Sequence, residues 1–151
     1  MTDAPVVPRT TGPDADGFTH IFFEGPGFNA QYGEVLCRAE SDTMARVRIA
    51  VGPKQANPIN TLHGGFLLAF LDQALFAATV TMGRVTYAGS VTLSLSSQFV
   101  AGGRIDRPVD CLVEVAGETR QLLFLHGTIE QGDHLVMTFQ ANVRKLTPRE
   151  G

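Results

Sequence analysis

The sequence predicts an α+β domain in which one antiparallel β-sheet wraps around a single long helix. Three features predict it. Phe66 to Met82, FLLAFLDQALFAATVTM, is the only long apolar run. As a helix it is apolar on nearly every face, so it must be enclosed. The flanking segments alternate apolar and polar residues with period two, the pattern of half-buried strands. Glycine, proline, asparagine and aspartate clusters separate these segments at hairpin-like intervals, giving the order β-β-α-β-β-β-β.

Residues 1–17 carry Pro5, Pro8 and Pro13 among Asp3, Asp14, Asp16 and Gly17, with no periodicity. They read as a flexible N-terminal arm. One domain is expected over 18–147, with 148–151 as a tail. Phe18 to Phe23 is apolar enough to dock on that domain, and Gly25-Pro26-Gly27 is a turn. The first strand runs from Gly33 to Glu40, and Ser41-Asp42-Thr43 reverses the chain. In the second, Val47, Ile49 and Val51 alternate with Arg46, Arg48 and Ala50. Residues 52–63 contain Gly52, Pro53, Asn57, Pro58 and Asn60 and form a loop. The helix starts near Gly64, and Gly83 is placed to end it as a C′ glycine.

After the helix, Val91, Leu93 and Leu95 are expected to face one way and Ser90, Thr92, Ser94 and Ser96 the other, until Gly102-Gly103 breaks the run. Val109–Ala116 and Leu122–Ile129 follow, with a turn at Gly117-Glu118; Leu122-Leu123-Phe124-Leu125 suggests burial on both sides. Gln131-Gly132-Asp133 is a hairpin turn into Leu135–Val143.

Composition limits the functional classes. The chain has 151 residues, enough for one domain with a real core, and its net charge of −3 gives no footprint for nucleic acid or an anionic membrane. Cys37 and Cys111 stand far apart in no C-x-x-C pattern and read as buried free thiols in a reducing cytoplasm. No secretory pattern opens the sequence. Phe66–Met82 is short for a membrane span and has Asp72 at its centre, so it reads as a core helix. His20, His126 and His134 lack metal-ligand spacing, and no metal site is expected.

Asp72 is the residue that packing explains least, because a buried unpaired carboxylate is costly. It is either catalytic or neutralised by a structural partner such as Arg84 or a strand hydroxyl. Gly64 and Gly65, at the helix start, leave backbone N–H groups unpaired at the positive end of the helix dipole. Those groups suit a developing oxyanion in acyl transfer; a tight loop-to-helix turn would also need glycine. At 1.5 Å per residue, Asp72 lies roughly 12 Å along the axis from Gly64. One helix cannot bring both groups to one carbonyl, which requires about 3 Å from each. Two antiparallel copies can, so a catalytic pair implies a dimer with shared sites. Ser90 is not in a G-x-S-x-G elbow, which disfavours a serine hydrolase. His63 can donate to a carbonyl or fix the loop. Arg104 and Arg107 beside Gly102-Gly103 can hold phosphates or line a solvated loop.

The run Asn57-Pro58-Ile59-Asn60-Thr61-Leu62-His63-Gly64-Gly65, followed by Asp72, resembles the signature of hotdog-fold acyl-CoA thioesterases. It is most similar to the phenylacetate-degradation (PaaI-like) group, which includes the human thioesterase superfamily member 2. The family pattern is Asn, two residues, Gly, two residues, His-Gly-Gly, six residues, then Asp or Glu. The resemblance extends from about Phe28 to Leu146. It implies that the Gly64 N–H polarises the thioester carbonyl and that Asn57 and His63 position the carbonyl or the attacking water. It further implies that Asp72 of a facing subunit acts as general base or nucleophile, and that a strand hydroxyl, at the place of Ser90, orients the water. Homodimers or homotetramers built as dimers of dimers follow from it. So does an acyl-CoA substrate with coenzyme A as part of it and no separate cofactor. Two departures stand out. Asn60 replaces the family glycine, and asparagine tolerates left-handed backbone. The family proline with Gly-Asp or Gly-Glu after the third strand is replaced by Val100-Ala101-Gly102-Gly103, so coenzyme A contacts do not carry over. The competing readings are a non-catalytic acyl-CoA-binding module and a hotdog dehydratase or hydratase. The His-Gly-Gly helix start argues against the second.

Overall fold

In the computed structural model, which describes residues 7–147, alternation and turn chemistry produce eight strands and one α-helix. The strands are β1 (Arg9–Thr11), β2 (Thr19–Phe22), β3 (Glu34–Ala39), β4 (Met44–Ile49), β5 (Ser90–Phe99), β6 (Val109–Glu118), β7 (Leu122–Gln131) and β8 (His134–Lys145). Helix α1 spans Gly64–Thr81. All strands join one antiparallel sheet in the order β1-β2-β3-β4-β6-β7-β8-β5. β5 therefore crosses to the far edge after the helix and pairs with β8.

The helix packs on the concave face of the sheet, chiefly on β3, β4 and β6. Leu67, Phe70, Leu71, Ala74, Leu75, Ala77 and Ala78 meet Val35, Cys37, Val47, Val109, Cys111 and Val113 in one core. Each fully buried large side chain contributes about 1.5–3 kcal/mol of transfer free energy. α1 is long and apolar enough to cross a bilayer, but half of it is buried in this core. It ends as its glycine predicts: Gly83 takes φ +70°, and the Gly83 and Arg84 N–H groups donate to the Val80 and Thr79 carbonyls. Cys37 and Cys111 are buried free thiols; burial pushes Cys37 up to about 11 and raises Cys111 as well, so neither is a ready nucleophile.

Several local expectations need correction. Residues 1–6 of the expected arm and the tail 148–151 lie outside the described residues. The rest of the arm is not loose: Arg9–Thr11 pairs with His20–Phe22 of β2. Polar contacts hold it, since β1 buries nothing; His20 bridges Asp14 and Glu34, and Asp14 accepts from the Phe18 N–H. A bulge between Thr92 and Ser94 breaks the alternation expected along β5, so Thr92 and Leu95 both register with inward residues of β8, Val143 and Ala141. The Leu122–Leu125 run is buried on one side only: Leu123 and Leu125 are enclosed, while Phe124 is exposed on the outer face. The turn expected at Gly117-Glu118 comes later, because β6 runs through Glu118.

On the convex face Asp110, 5% exposed, receives Arg48 Nε and Nη2 at 2.7 and 2.8 Å and Arg46 Nη1 at 2.7 Å. Burial alone would raise this carboxyl, but the Arg48 and Arg46 hydrogen bonds and charges hold it below the usual carboxylate range. Its stabilising effect is therefore complete above that range and is lost as pH falls through the lowered value. Asp110→Asn should cost about 1–3 kcal/mol at pH 7 in urea denaturation, and the difference from wild type should shrink at pH 3. A second prediction concerns Gly127, where a Cβ would stand 1.8 Å from the Leu112 carbonyl oxygen of β6. Gly127→Ala must push two paired strands apart and should destabilise the fold by at least about 2 kcal/mol, read as a lower urea midpoint.

Candidate active site

Helix α1 is not enclosed all round within one chain. Gly65, Leu68 and Asp72 form an exposed stripe along it, with Ala69, Phe76 and Val80 half-buried beside them. Asp72 is thus exposed, and the expectation of a buried carboxylate is corrected. It is not paired with Arg84, which donates instead to Glu118 and to the Asp42 carbonyl. A strand hydroxyl does meet it: Thr92 Oγ1 donates to Asp72 Oδ1 at 2.8 Å. That bond fixes one carboxylate oxygen and leaves the other able to accept a proton or attack a carbon.

The helix start is built by the loop before it. Asn57 Oδ1 accepts from the Ile59 and Thr61 N–H groups, and its Nδ2 donates to Thr61 Oγ1 at 2.7 Å. Asn57 therefore shapes the 57–61 loop with its whole amide. Asn60 adopts φ +61°, a left-handed conformation that asparagine tolerates. His63 is the helix N-cap; its Nδ1 accepts from the Gly65 N–H at 2.9 Å, which leaves the ring proton on Nε2. The Gly65 N–H is thereby used, whereas the Gly64 N–H has no hydrogen-bond partner among the described residues. Gly64 also admits close packing, since a Cβ there would lie 3.3 Å from the Phe99 ring.

Gly102 and Gly103 complete this end of the site. Leu62 N–H donates to the Gly103 carbonyl at 2.9 Å, and a Cβ on Gly103 would meet Leu62 Cδ1 at 2.7 Å. The neighbouring Arg104 forms a two-bond pair with Asp106, and Arg107 also faces Asp106, so these arginines are charge-paired. Among the described residues, no three His, Cys, Asp or Glu side chains converge as metal ligands.

Ser90 makes no hydrogen bond to Asp72, whose strand partner is Thr92. It opens β5, two residues before Thr92, and lines a cleft of about 450 Å³ with Gln73, Phe76, Val80 and Tyr87. A second cleft, of about 340 Å³, lies between Phe28 and Tyr32 on one side and His63, Gly65 and Phe66 on the other. Phe28 borders both. Tyr32 packs edge-on against Phe28, with ring centroids 5.9 Å apart. Burial, aided by the negative charge of Asp72, pushes the Tyr32 phenol up to about 12, so it stays a protonated donor near the carboxylate. Thr92 and Tyr32 were not singled out by the sequence. Thr92 is one of several hydroxyls on a serine-rich strand, and Tyr32 arrives through a short 3₁₀ turn, Phe28–Tyr32, that carries no periodic signal.

The arrangement contains a fixed, solvent-facing carboxylate, an unpaired N–H at a helix N-terminus, one mainly apolar cleft and a second of mixed lining. Comparisons place it among known proteins. A family model described as the acyl-CoA thioesterase N-terminal domain matches residues 53–144. A search of curated proteins gives no match. Solved structures share the fold. The Escherichia coli PaaI protein of the phenylacetic acid degradation operon is 19% identical over 69% of this chain and 73% of its own, with TM-score 0.61. Zebra fish thioesterase superfamily member 2 is 16% identical over 81% and 88%, with TM-score 0.66. A hypothetical thioesterase from Streptococcus pneumoniae, solved with coenzyme A, is 20% identical over 74% and 88%, with TM-score 0.62. The chain has the hotdog fold and belongs to the acyl-CoA thioesterase domain family.

Proposed function

We propose that the protein hydrolyses an acyl-CoA thioester to a free carboxylic acid and coenzyme A, at sites shared between two copies of the chain. The observation that carries this reading is the geometry of α1. Asp72 is presented on the open stripe and steadied by Thr92, and the unpaired Gly64 N–H stands at the start of the same helix. The two are separated by roughly 12 Å of axis, so they meet at one carbonyl only across two antiparallel helices. The free edge of β5 supports such a pairing. β5 is bonded on one side only, to β8, and Val91, Leu93, Phe99 and Val100 are exposed along and just beyond it. Continuing the sheet through β5 would cover these residues and the Leu68–Asp72 stripe together. A homodimer is the minimal unit, and a pair of dimers is compatible with it.

In this reading the thioester carbonyl oxygen accepts from the Gly64 N–H, where the helix dipole favours the charge that develops. Asp72 takes a proton from water as the water oxygen bonds to the carbonyl carbon. The C–S bond then breaks, and the sulfur leaves as the free thiol, taking the proton that Asp72 had accepted. Asp72 attacking the carbon directly, through an anhydride, would use the same geometry. His63 and Asn57 act through the loop, by setting where the Gly64 N–H points. Two unpaired buried cysteines favour a reducing cytoplasmic setting.

Thiol release from a panel of acyl-CoAs tests the reading. Asp72→Asn should lower kcat by about 10²-fold or more, and full activity in that variant would sink the mechanism. Thr92→Val removes one hydrogen bond to the carboxylate and should cost about tenfold. Tight acyl-CoA binding with no turnover across the panel would point to a binding module instead. The shared site has its own check. Gly64→Pro deletes the N–H at a helix position that accepts proline, after a His63 already in extended conformation (ψ 131°), and its Cβ requires only that the exposed Phe99 ring, 3.3 Å away, shift slightly. Mixing the inactive Gly64→Pro and Asp72→Asn proteins should restore about a quarter of wild-type activity through mixed dimers with one intact site. No recovery, or an active monomer by light scattering, would refute sharing.

A further inference from the structure

The cleft of about 450 Å³ beside the C-terminal half of α1 contains a polar group, Gln73, to which the proposed hydrolysis assigns no role. Its surface is mainly apolar, from Phe23, Phe28, Phe76 and Val80. Gln73, only 6% exposed, interrupts it, as does Ser90 at 8%. The Gln73 amide has no hydrogen-bond partner among the described residues, yet none of their side-chain polar atoms is both fully sealed and unpaired. The amide therefore keeps its access through the cleft it lines. A polar side chain more than nine-tenths buried and without a protein partner suits a ligand that supplies the missing hydrogen bond.

Its position on the helix specifies which part of a ligand it meets. Gln73, Phe76 and Val80 follow at i, i+3 and i+7 and form one row along the cleft wall. Gln73 heads that row and is the immediate neighbour of Asp72. We propose that Gln73 is a specificity-determining residue, and that the cleft takes an acyl group bearing a hydroxyl or oxo group on the carbons nearest the thioester. The inference rests on the acyl-CoA thioesterase reading above, which holds the carbonyl beside Asp72. From there an acyl chain enters the cleft at its Gln73 end and continues past Phe76 and Val80. An amide offers both donor and acceptor, so it serves either substituent. A plain alkyl chain would take water away from Gln73 and return no hydrogen bond, which penalises it relative to the substituted chain.

The test measures thiol release by the full-length protein with two matched pairs: butanoyl- against 3-hydroxybutanoyl-CoA, and hexanoyl- against 3-hydroxyhexanoyl-CoA. Wild type should prefer the hydroxylated member of each pair by about tenfold or more in kcat/KM. Gln73→Leu, of similar volume, should lower kcat/KM for the hydroxylated member and raise it for the plain one, abolishing or inverting the preference. The wild-type comparison decides by itself if that variant does not fold. Equal kcat/KM within both pairs would overturn the inference and leave the thioesterase reading standing; a preference that survives Gln73→Leu would remove its assignment to this residue. No thiol release from any thioester would overturn the thioesterase reading, and this inference with it.

Discussion

The enclosure of one apolar helix by one curved sheet is the constraint on which the rest of the molecule depends. α1 has too little polar surface to stand in water, so it takes most of the concave face of the sheet as its partner. The inward side chains of the sheet pack in turn against α1 and against loop residues such as Leu62, Tyr32 and Ile105 in one core. Because β4 pairs with β6 and β5 is carried to the far edge, the strands flanking the helix in sequence are spread across the sheet. That spread brings Thr92 to Asp72 and Gly102-Gly103 to the loop ahead of the helix.

The helix start is organised by side chains of the loop ahead of it. Asn57 closes the loop with its amide, Asn60 supplies the left-handed turn, and His63 caps the helix by taking the Gly65 N–H. These contacts leave the Gly64 N–H without a partner among the described residues, at the end of the helix where partial positive charge is greatest. The asparagine and the histidine thus both bond to the backbone of the loop and the helix start. The convex face of the sheet, by contrast, holds the Arg46–Asp110–Arg48 cluster, which ties β4 to β6 directly behind the core.

Much of the fold was legible because hydrophobic periodicity survives in short windows. Val47 and Ile49 alternate as they pack, and the helix begins and ends at the glycines that suggest it. The N-terminal hairpin was not legible, since β1 buries none of its three residues and is held by backbone pairing and by His20 between two carboxylates. Leu93 misled for a different reason: the bulge at that point shifts the register, and a bulge is set by the neighbouring strand rather than by local alternation.

The sequence by itself determined the class of fold, the helix limits and the spacing of Asn57, His63, Gly64 and Asp72, because these follow from local periodicity, turn chemistry and linear distance along one helix. Only the tertiary structure decided the rest. It placed Asp72 on an open stripe rather than in the core, gave it Thr92 as its hydroxyl partner, and brought Tyr32 into the field of the carboxylate. It also turned the Gln73 amide into an apolar cleft without a partner. Each of these depends on which face of an element meets which neighbour, and the sheet order and the β5 bulge set that, not the residues' own local preferences.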